Sequence, residues 1–185
     1  MVRLRVTNKP KNILENMKIS SYKNIFLDRD GIINEIIMRD GVVSSPRSYK
    51  EFLYRDDFLE FSKKISKNFN FYLITNQPDI SRGLLKQNEL EKMHADLKNI
   101  LSFKEIYVCQ HDNNDNCSCR KPKPGMIIEA IKNNNLLPKD CIMIGDSLKD
   151  IEAAKAAGID VILLNTVYNK HIVFNNKINS LISII

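Results

Sequence analysis

The chain has 185 residues, 43% of them hydrophobic and 27% charged, the balance of one soluble globular domain with a sizeable core. Lys and Arg number 28 against 22 Asp and Glu; the net charge of +6 suits an anionic substrate but selects none, since a basic surface attracts any polyanion. No apolar run reaches membrane-spanning length and no charged-then-apolar leader opens the chain, so a cytoplasmic protein without membrane contact is expected.

Residues 1–21 read as an N-terminal extension, with a short strand over 1–6, a break at Lys9-Pro10, and no firm order expected. The domain proper is expected over 22–185. Asn24-Ile25-Phe26-Leu27 is an apolar run that stops at Asp28-Arg29-Asp30-Gly31, as a buried parallel strand does when its carboxyl end opens into a crevice. A polar excursion over 34–54 follows, long enough to suggest a wall of a substrate pocket, with Asn34 at its start as a candidate contact. Helical spacing of Phe58, Leu59, Phe61 and Ile65 predicts a helix over 56–67, and 71–75 reads as a second strand. A helix over 87–100 leads to a strand over 105–109. Pro124 opens a further helix, 141–145 is a fourth strand, 150–157 an alanine-rich helix closed by Gly158, and 161–164 a fifth strand. The tail over 175–185 reads as a last short helix or an edge element. Strands alternating with helices predict an α/β three-layer sandwich, a mainly parallel sheet with helices on both faces.

Polar chemistry sits at four of these strand ends: Asp28 and Asp30; Thr75, Asn76 and Gln77; Cys109 leading to Arg120 and Lys121; and Asp146. Each part has a bland reading as a turn former, an N-cap or surface charge. Parallel strands bring all four to one crevice, and together they supply a phosphoryl-transfer site. A carboxylate nucleophile attacking a phosphate monoester needs both charges neutralised, and Mg²⁺ on hard oxygen ligands does this. Asp28, Asp146 and the carbonyl of Asp30 are the expected ligands. Thr75 and Lys121 would hold the phosphoryl oxygens; Asp28 attacks phosphorus, and Asp30 protonates the leaving oxygen and then activates water. Cys109, His111, Cys117 and Cys119 form a closed Cys₃His set, expected to hold structural Zn²⁺ in a loop over 109–119 and to fix Arg120 and Lys121 at the crevice. A disulfide or redox pair is the alternative. Cys141 is expected to be a buried apolar residue, and His94 and His171 to be bystanders.

Phe26-Leu27-Asp28-Arg29-Asp30-Gly31, Thr75-Asn76-Gln77, Lys121 and Gly145-Asp146-Ser147 resemble the four signature motifs of the haloacid dehalogenase (HAD) superfamily of phosphatases. The Cys109-Gln110-His111 and Cys117-Ser118-Cys119-Arg120-Lys121-Pro122 stretches are similar to the zinc loop of a smaller group, the heptose 1,7-bisphosphate and histidinol-phosphate phosphatases. The resemblance implies a capless HAD-like Rossmannoid fold and a Mg²⁺-dependent phosphatase with an aspartyl-phosphate intermediate. It also implies a small phosphorylated substrate, a sugar bisphosphate, met by Asn34, Asn76, Gln77 and Arg120. A monomer is expected, with no nucleic-acid partner.

Lys123-Pro124-Gly125-Met126 is similar to the heptose branch, whereas the five residues between His111 and Cys117 are closer to the histidinol-phosphatase pattern. Ser147 stands where the heptose enzymes often carry a lysine, Pro78 where a small residue is usual, and no Tyr follows Gly41. Removal of the 7-phosphate of D-glycero-D-manno-heptose 1,7-bisphosphate is the leading expectation, with histidinol phosphate as the rival in the same class. A nucleic-acid 3′-phosphatase and a non-catalytic zinc-stabilised module are the readings from other classes; the first lacks an aromatic-interleaved basic stripe, and retention of both aspartates opposes the second.

Overall fold

A computed structural model describes residues 19–65 and 67–185; the strand expected over 1–6 lies outside them. The strands are β1 (Asn24–Leu27), β2 (Ile37–Arg39), β3 (Val42–Ser44), β4 (Asn70–Asn76), β5 (Phe103–Cys109), β6 (Cys141–Gly145), β7 (Asp160–Leu164) and β8 (Lys177–Ile178). The helices are α1 (Asp56–Lys64), α2 (Gln87–Ile100), α3 (Gly125–Asn133) and α4 (Leu148–Ala156). Six strands form one parallel sheet in the order β5-β4-β1-β6-β7-β8. The chain runs outward from β1 through β4 to β5, then crosses back to β6 on the other side of β1. That reversal puts the topological switch point at the carboxyl end of β1, where open α/β sheets bind ligands.

The alternation of side chains along the central strands builds two cores. Ile25, Leu27, Leu73, Ile142 and Ile144 face Phe58 and Phe61 of α1 and Leu90, Met93 and Leu97 of α2. Phe26, Tyr72, Ile74 and Met143 face Met126 and Ala130 of α3 and Ile151 and Ala154 of α4. Buried on both faces, these strands need the continuous apolar runs that the sequence carries. The result is the three-layer α/β sandwich expected. Cys141 is buried with its thiol on the Leu137 carbonyl.

Local chemistry accounts for the departures from the expected boundaries. Helix α1 stops at Lys64 because Ile65 turns to extended backbone and tucks its side chain into the core. Pro124 is the residue before α3 rather than its first residue. Helix α4 starts at Leu148, two residues early, since the Asp150 carboxylate accepts from Ser147 N at 3.0 Å and Ser147 Oγ at 2.5 Å. The expected polar excursion contains an antiparallel hairpin, β2–β3, turned by Asp40 and Gly41, both at positive φ. The tail supplies the edge strand β8 and a 3-10 turn over Leu181–Ile184. Ile19, expected within the N-terminal extension, packs into the core. No helix among the described residues is long and apolar enough to cross a membrane.

Gly145 ends β6 where a Cβ would lie 2.3 Å from Asp150 Cβ and 2.4 Å from its Cγ. Gly145→Ala must therefore push α4 off the sheet, and urea unfolding should show a loss of about 2 kcal/mol, the usual cost of an overpacked core.

Candidate active site

A cleft of about 780 Å³ opens at the carboxyl ends of β1, β4 and β6, lined by Asp28, Asp30, Asn76, Arg120, Lys121 and Asp146 among others. Its size suits a small ligand. Lys121 arrives from the loop after β5 and is 3% exposed. Its Nζ lies 2.8 Å from Asp28 Oδ1 and 2.6 Å from Asp150 Oδ1, and donates to the Ile74 carbonyl at 2.9 Å. Burial opposes its charge, but Asp150 and Asp28 overcome that and raise its pKa further, so Lys121 stays an ammonium. Asn76 fixes the lysine backbone from both sides, donating to Lys121 O at 3.0 Å and accepting from Lys121 N at 3.1 Å.

Burial pushes the Asp28 carboxyl up to about 7 against the pull of Lys121, and burial together with Asp150 and Asp28 raises Asp146 well above the carboxylate range. Asp28 Oδ1 accepts the Arg29 N–H at 2.7 Å as well as Lys121; among the described residues its Oδ2 has no donor. Asp28, Asp146 and Asp150 each offer an oxygen within 4.8 Å of the others'. Both oxygens of Asp150 are already engaged, one by Lys121 and one by Ser147, which leaves Asp28 and Asp146 as the carboxylates short of positive charge. A hard-oxygen site with one lysine for three buried acids fits a divalent cation such as Mg²⁺.

Asp30 lies in the opposite electrostatic state. Burial alone would raise its pKa, yet the Arg29 guanidinium and hydrogen bonds from Asn34, Gln77 and Ser45 outweigh it and hold the carboxyl below its usual range. Arg29 donates to both Asp30 oxygens, Asn34 donates to Oδ1 at 3.0 Å, and Gln77 and Ser45 reach Oδ2 at 2.8 and 2.9 Å. Asn34 and Gln77, expected to meet substrate, are thus buried supports of Asp30, and Gln77 also donates to Thr75 Oγ1 at 2.8 Å. Asn76 lines the cleft but spends its amide on Lys121.

Sequence reading missed the residues behind these groups. Arg29 is fully buried, packed over Phe52 and placed 3.4 Å from His94 Nε2. Burial and Arg29 drive the His94 pKa down to about 3, so the ring stays neutral and accepts from the guanidinium. The expected bystander is a support of the arginine that clamps Asp30. The loop after β7 holds Asp146: Tyr168 OH donates to its Oδ2, and Asn169 donates to its carbonyl at 2.6 Å and to Leu164 O at 2.8 Å. Gly31, at φ +86°, leaves room for this contact, since a Cβ there would meet Asp146 Oδ2 at 2.0 Å. A charged residue between two aspartates was the one local signal for Arg29; Tyr168 and Asn169 had none. His171 lines the cleft at its rim.

Cys109, His111, Cys117 and Cys119 bring their ligand atoms together without a disulfide. The Cys109–Cys117 and Cys109–Cys119 sulfurs are 3.7 and 3.3 Å apart, and His111 Nδ1 lies 3.7 and 3.3 Å from the sulfurs of Cys109 and Cys119. Tetrahedral Zn–S bonds of about 2.3 Å would give sulfur–sulfur edges of about 3.8 Å, so the four residues fit a closed metal site. The same loop anchors Arg120, whose Nε donates to Asn113 Oδ1 at 2.9 Å and whose Nη1 donates to His111 O at 3.2 Å.

A HAD-hydrolase-like family model matches residues 118–171. The D-glycero-beta-D-manno-heptose-1,7-bisphosphate 7-phosphatase of Helicobacter pylori is 36% identical over 149 residues, which is 76% of this chain and 82% of that protein. The D-glycero-alpha-D-manno-heptose-1,7-bisphosphate 7-phosphatase of Campylobacter jejuni is 33% identical, over 77% of this chain and 81% of that one. Among solved structures, the D,D-heptose 1,7-bisphosphate phosphatase from B. bronchiseptica, complexed with magnesium and phosphate, matches with a TM-score of 0.75 at 26% identity, covering 88% of this chain and 95% of that one. With a third of its residues shared across four-fifths of such relatives, and the same fold, the chain belongs to the HAD-like family of phosphatases.

Proposed function

We propose that the chain is a Mg²⁺-dependent phosphomonoesterase that removes the 7-phosphate of D-glycero-D-manno-heptose 1,7-bisphosphate in the cytoplasm, acting as a monomer. The observation that carries it is the buried Asp28–Lys121 pair at 2.8 Å, in a cleft that also presents Asp30, Asp146 and Arg120. Relatives sharing about a third of the sequence and named for this substrate support the sugar.

Asp28 and Asp146 would hold Mg²⁺, which supplies charge neutralisation for nucleophile and phosphate. An Asp28 oxygen attacks phosphorus, forming the aspartyl-phosphate bond as the phosphorus–O7 bond breaks. Lys121 offsets the charge on the transferring group, and its ties to Asp150 and Ile74 O pre-position it. Thr75, fully buried beside Gln77, sits at the same strand end for the phosphoryl oxygens. Asp30 gives its proton to the leaving O7. It then takes one from the water that attacks the aspartyl-phosphate, so phosphate leaves and Asp28 is regenerated. At rest Asp30 is ionised; an incoming anionic ester raises its proton affinity, the direction a general acid requires. Cys109, His111, Cys117 and Cys119 would hold Zn²⁺, and their loop carries Arg120 toward the second phosphate.

Phosphate release from both anomers of the bisphosphate, from histidinol phosphate and from a 3′-phosphorylated oligonucleotide tests the reading. Preference for a heptose anomer supports it; preference for histidinol phosphate or the oligonucleotide replaces it. Asp28→Asn should lower kcat by about a thousandfold or more, and retained activity would sink the nucleophile assignment. Metal analysis should find about one zinc per chain, lost in Cys117→Ser together with thermal stability.

The raised Asp28 pKa also fixes a pH dependence. Without metal, the native state holds protons at Asp28 and Asp146 that the unfolded chain has released, so stability falls as pH rises from about 4 to about 7. Asp30, shifted downward, titrates below that window. Urea unfolding across it should show the decline, and added Mg²⁺ should flatten it; a decline indifferent to Mg²⁺ would count against these ligands.

A further inference from the structure

Four arginines line the cleft, and two of them, Arg39 and Arg82, are committed elsewhere. Arg39 donates through Nη1 to Ser44 Oγ and Ser45 O and through Nη2 to Glu51. Arg82 spends Nη1 on Asp79 and both Nε and Nη2 on Asp112. Arg120 gives Nε and Nη1 to its own loop, and among the described residues its Nη2 makes no hydrogen bond. Arg47 differs. Its Nε donates to Asp79 Oδ2 at 2.7 Å, and among the described residues neither terminal nitrogen makes a hydrogen bond.

The surroundings hold this free fork in place. Asp79 is 5% exposed and takes Arg82 on its other oxygen, so it is fixed before it clamps Arg47. The Arg47 backbone N–H donates to Glu51 Oε2 at 2.7 Å, on the same oxygen that receives Arg39. Ser45, two residues earlier, touches Asp30 Oδ2 at 2.9 Å. The segment over 45–47 thus starts at the group that protonates the leaving oxygen and ends at a guanidinium lining the same cleft. What leaves past Asp30 is the alcohol portion of the ester, so that portion meets Arg47.

We propose that Arg47, oriented by Asp79, is a further specificity-determining residue that joins Arg120 in binding a second phosphate on the leaving-group portion of the substrate. The inference rests on the reading that the substrate is a bisphosphate. A planar fork with two free ends matches phosphate oxygens in pairs, which a lysine does not. Asp79 is a positioning residue: it touches no substrate and acts by holding Nε.

The test compares heptose 1,7-bisphosphate with heptose 7-phosphate, which lacks the second phosphate, as a ratio of kcat/KM. Arg47→Ala should cut that ratio about 30-fold, the size expected for a lost charge-assisted contact. Arg47→Lys should recover only part of it, and Asp79→Asn should raise KM for the bisphosphate more than it lowers kcat. Should Arg47→Ala fail to fold, the Lys and Asn variants carry the test. Equal losses on both substrates would mean that Arg47 acts through the Ser45–Asp30 contact and would overturn the proposal. A wild-type preference for the bisphosphate that is undiminished in Arg47→Ala would overturn the proposal alone. A wild type indifferent to the second phosphate would overturn the substrate reading as well.

Discussion

Lys121 is the constraint on which the site depends. A buried ammonium is costly unless paired, and here it is shared between Asp28 at 2.8 Å and Asp150 at 2.6 Å, with a backbone carbonyl as third acceptor. That geometry ties together the end of β1, the end of β4, the loop after β5 and the first turn of α4. Asp150 completes the tie by holding Ser147 with its other oxygen, so the same carboxylate that orients the lysine sets where α4 begins. Gly145 must lack a side chain for Asp150 to lie so close to the strand end.

One lysine does not balance three buried carboxylates, and the imbalance is chemically specific. It falls on Asp28 and Asp146, whose proton affinities rise, and spares Asp30, whose affinity falls. The two halves of the Asp28–Asp30 pair are thus prepared for different work by different neighbours. Asp28 shares its surroundings with further acids and lacks enough cations. Asp30 has a buried arginine, two amides and a hydroxyl. Such a division of environment is how one short segment can offer two carboxylates of opposite proton affinity.

Outside this centre the cleft is shaped by segments that differ in how they are fixed. The 109–119 loop is drawn together around Cys109, His111, Cys117 and Cys119, the hairpin side by Glu51 and Asp79, and the far wall by Tyr168 and Asn169 on Asp146. A chain of ion pairs runs from Arg47 through Asp79 and Arg82 to Asp112, linking the hairpin side to the loop that carries Arg120. Among the described residues these loops, and no separate cap domain, wall the outer cleft.

The sequence by itself determined the sheet, the helices and the strand ends that bear the chemistry. Apolar runs of strand length closed by Asp28, Thr75, Cys109 and Gly145-Asp146 are local patterns, and parallel pairing then leaves them no choice but a common edge. The β2–β3 hairpin was not read from the sequence, where its segment passed as a polar excursion, although Asp40-Gly41 is the local turn chemistry that closes it. Only the tertiary structure decided which polar side chains face the cleft and which serve behind it. Asn34, Asn76 and Gln77 carry amides equally fit for substrate or for protein; contacts 4, 45 and 47 residues away committed them to Asp30 and Lys121. Arg29 and His94 became a buried pair, and Tyr168 a partner of Asp146, through packing between segments far apart in the chain. Hydrogen-bonding capacity is a property of the residue, whereas its use is set by which groups burial brings within 3 Å or so.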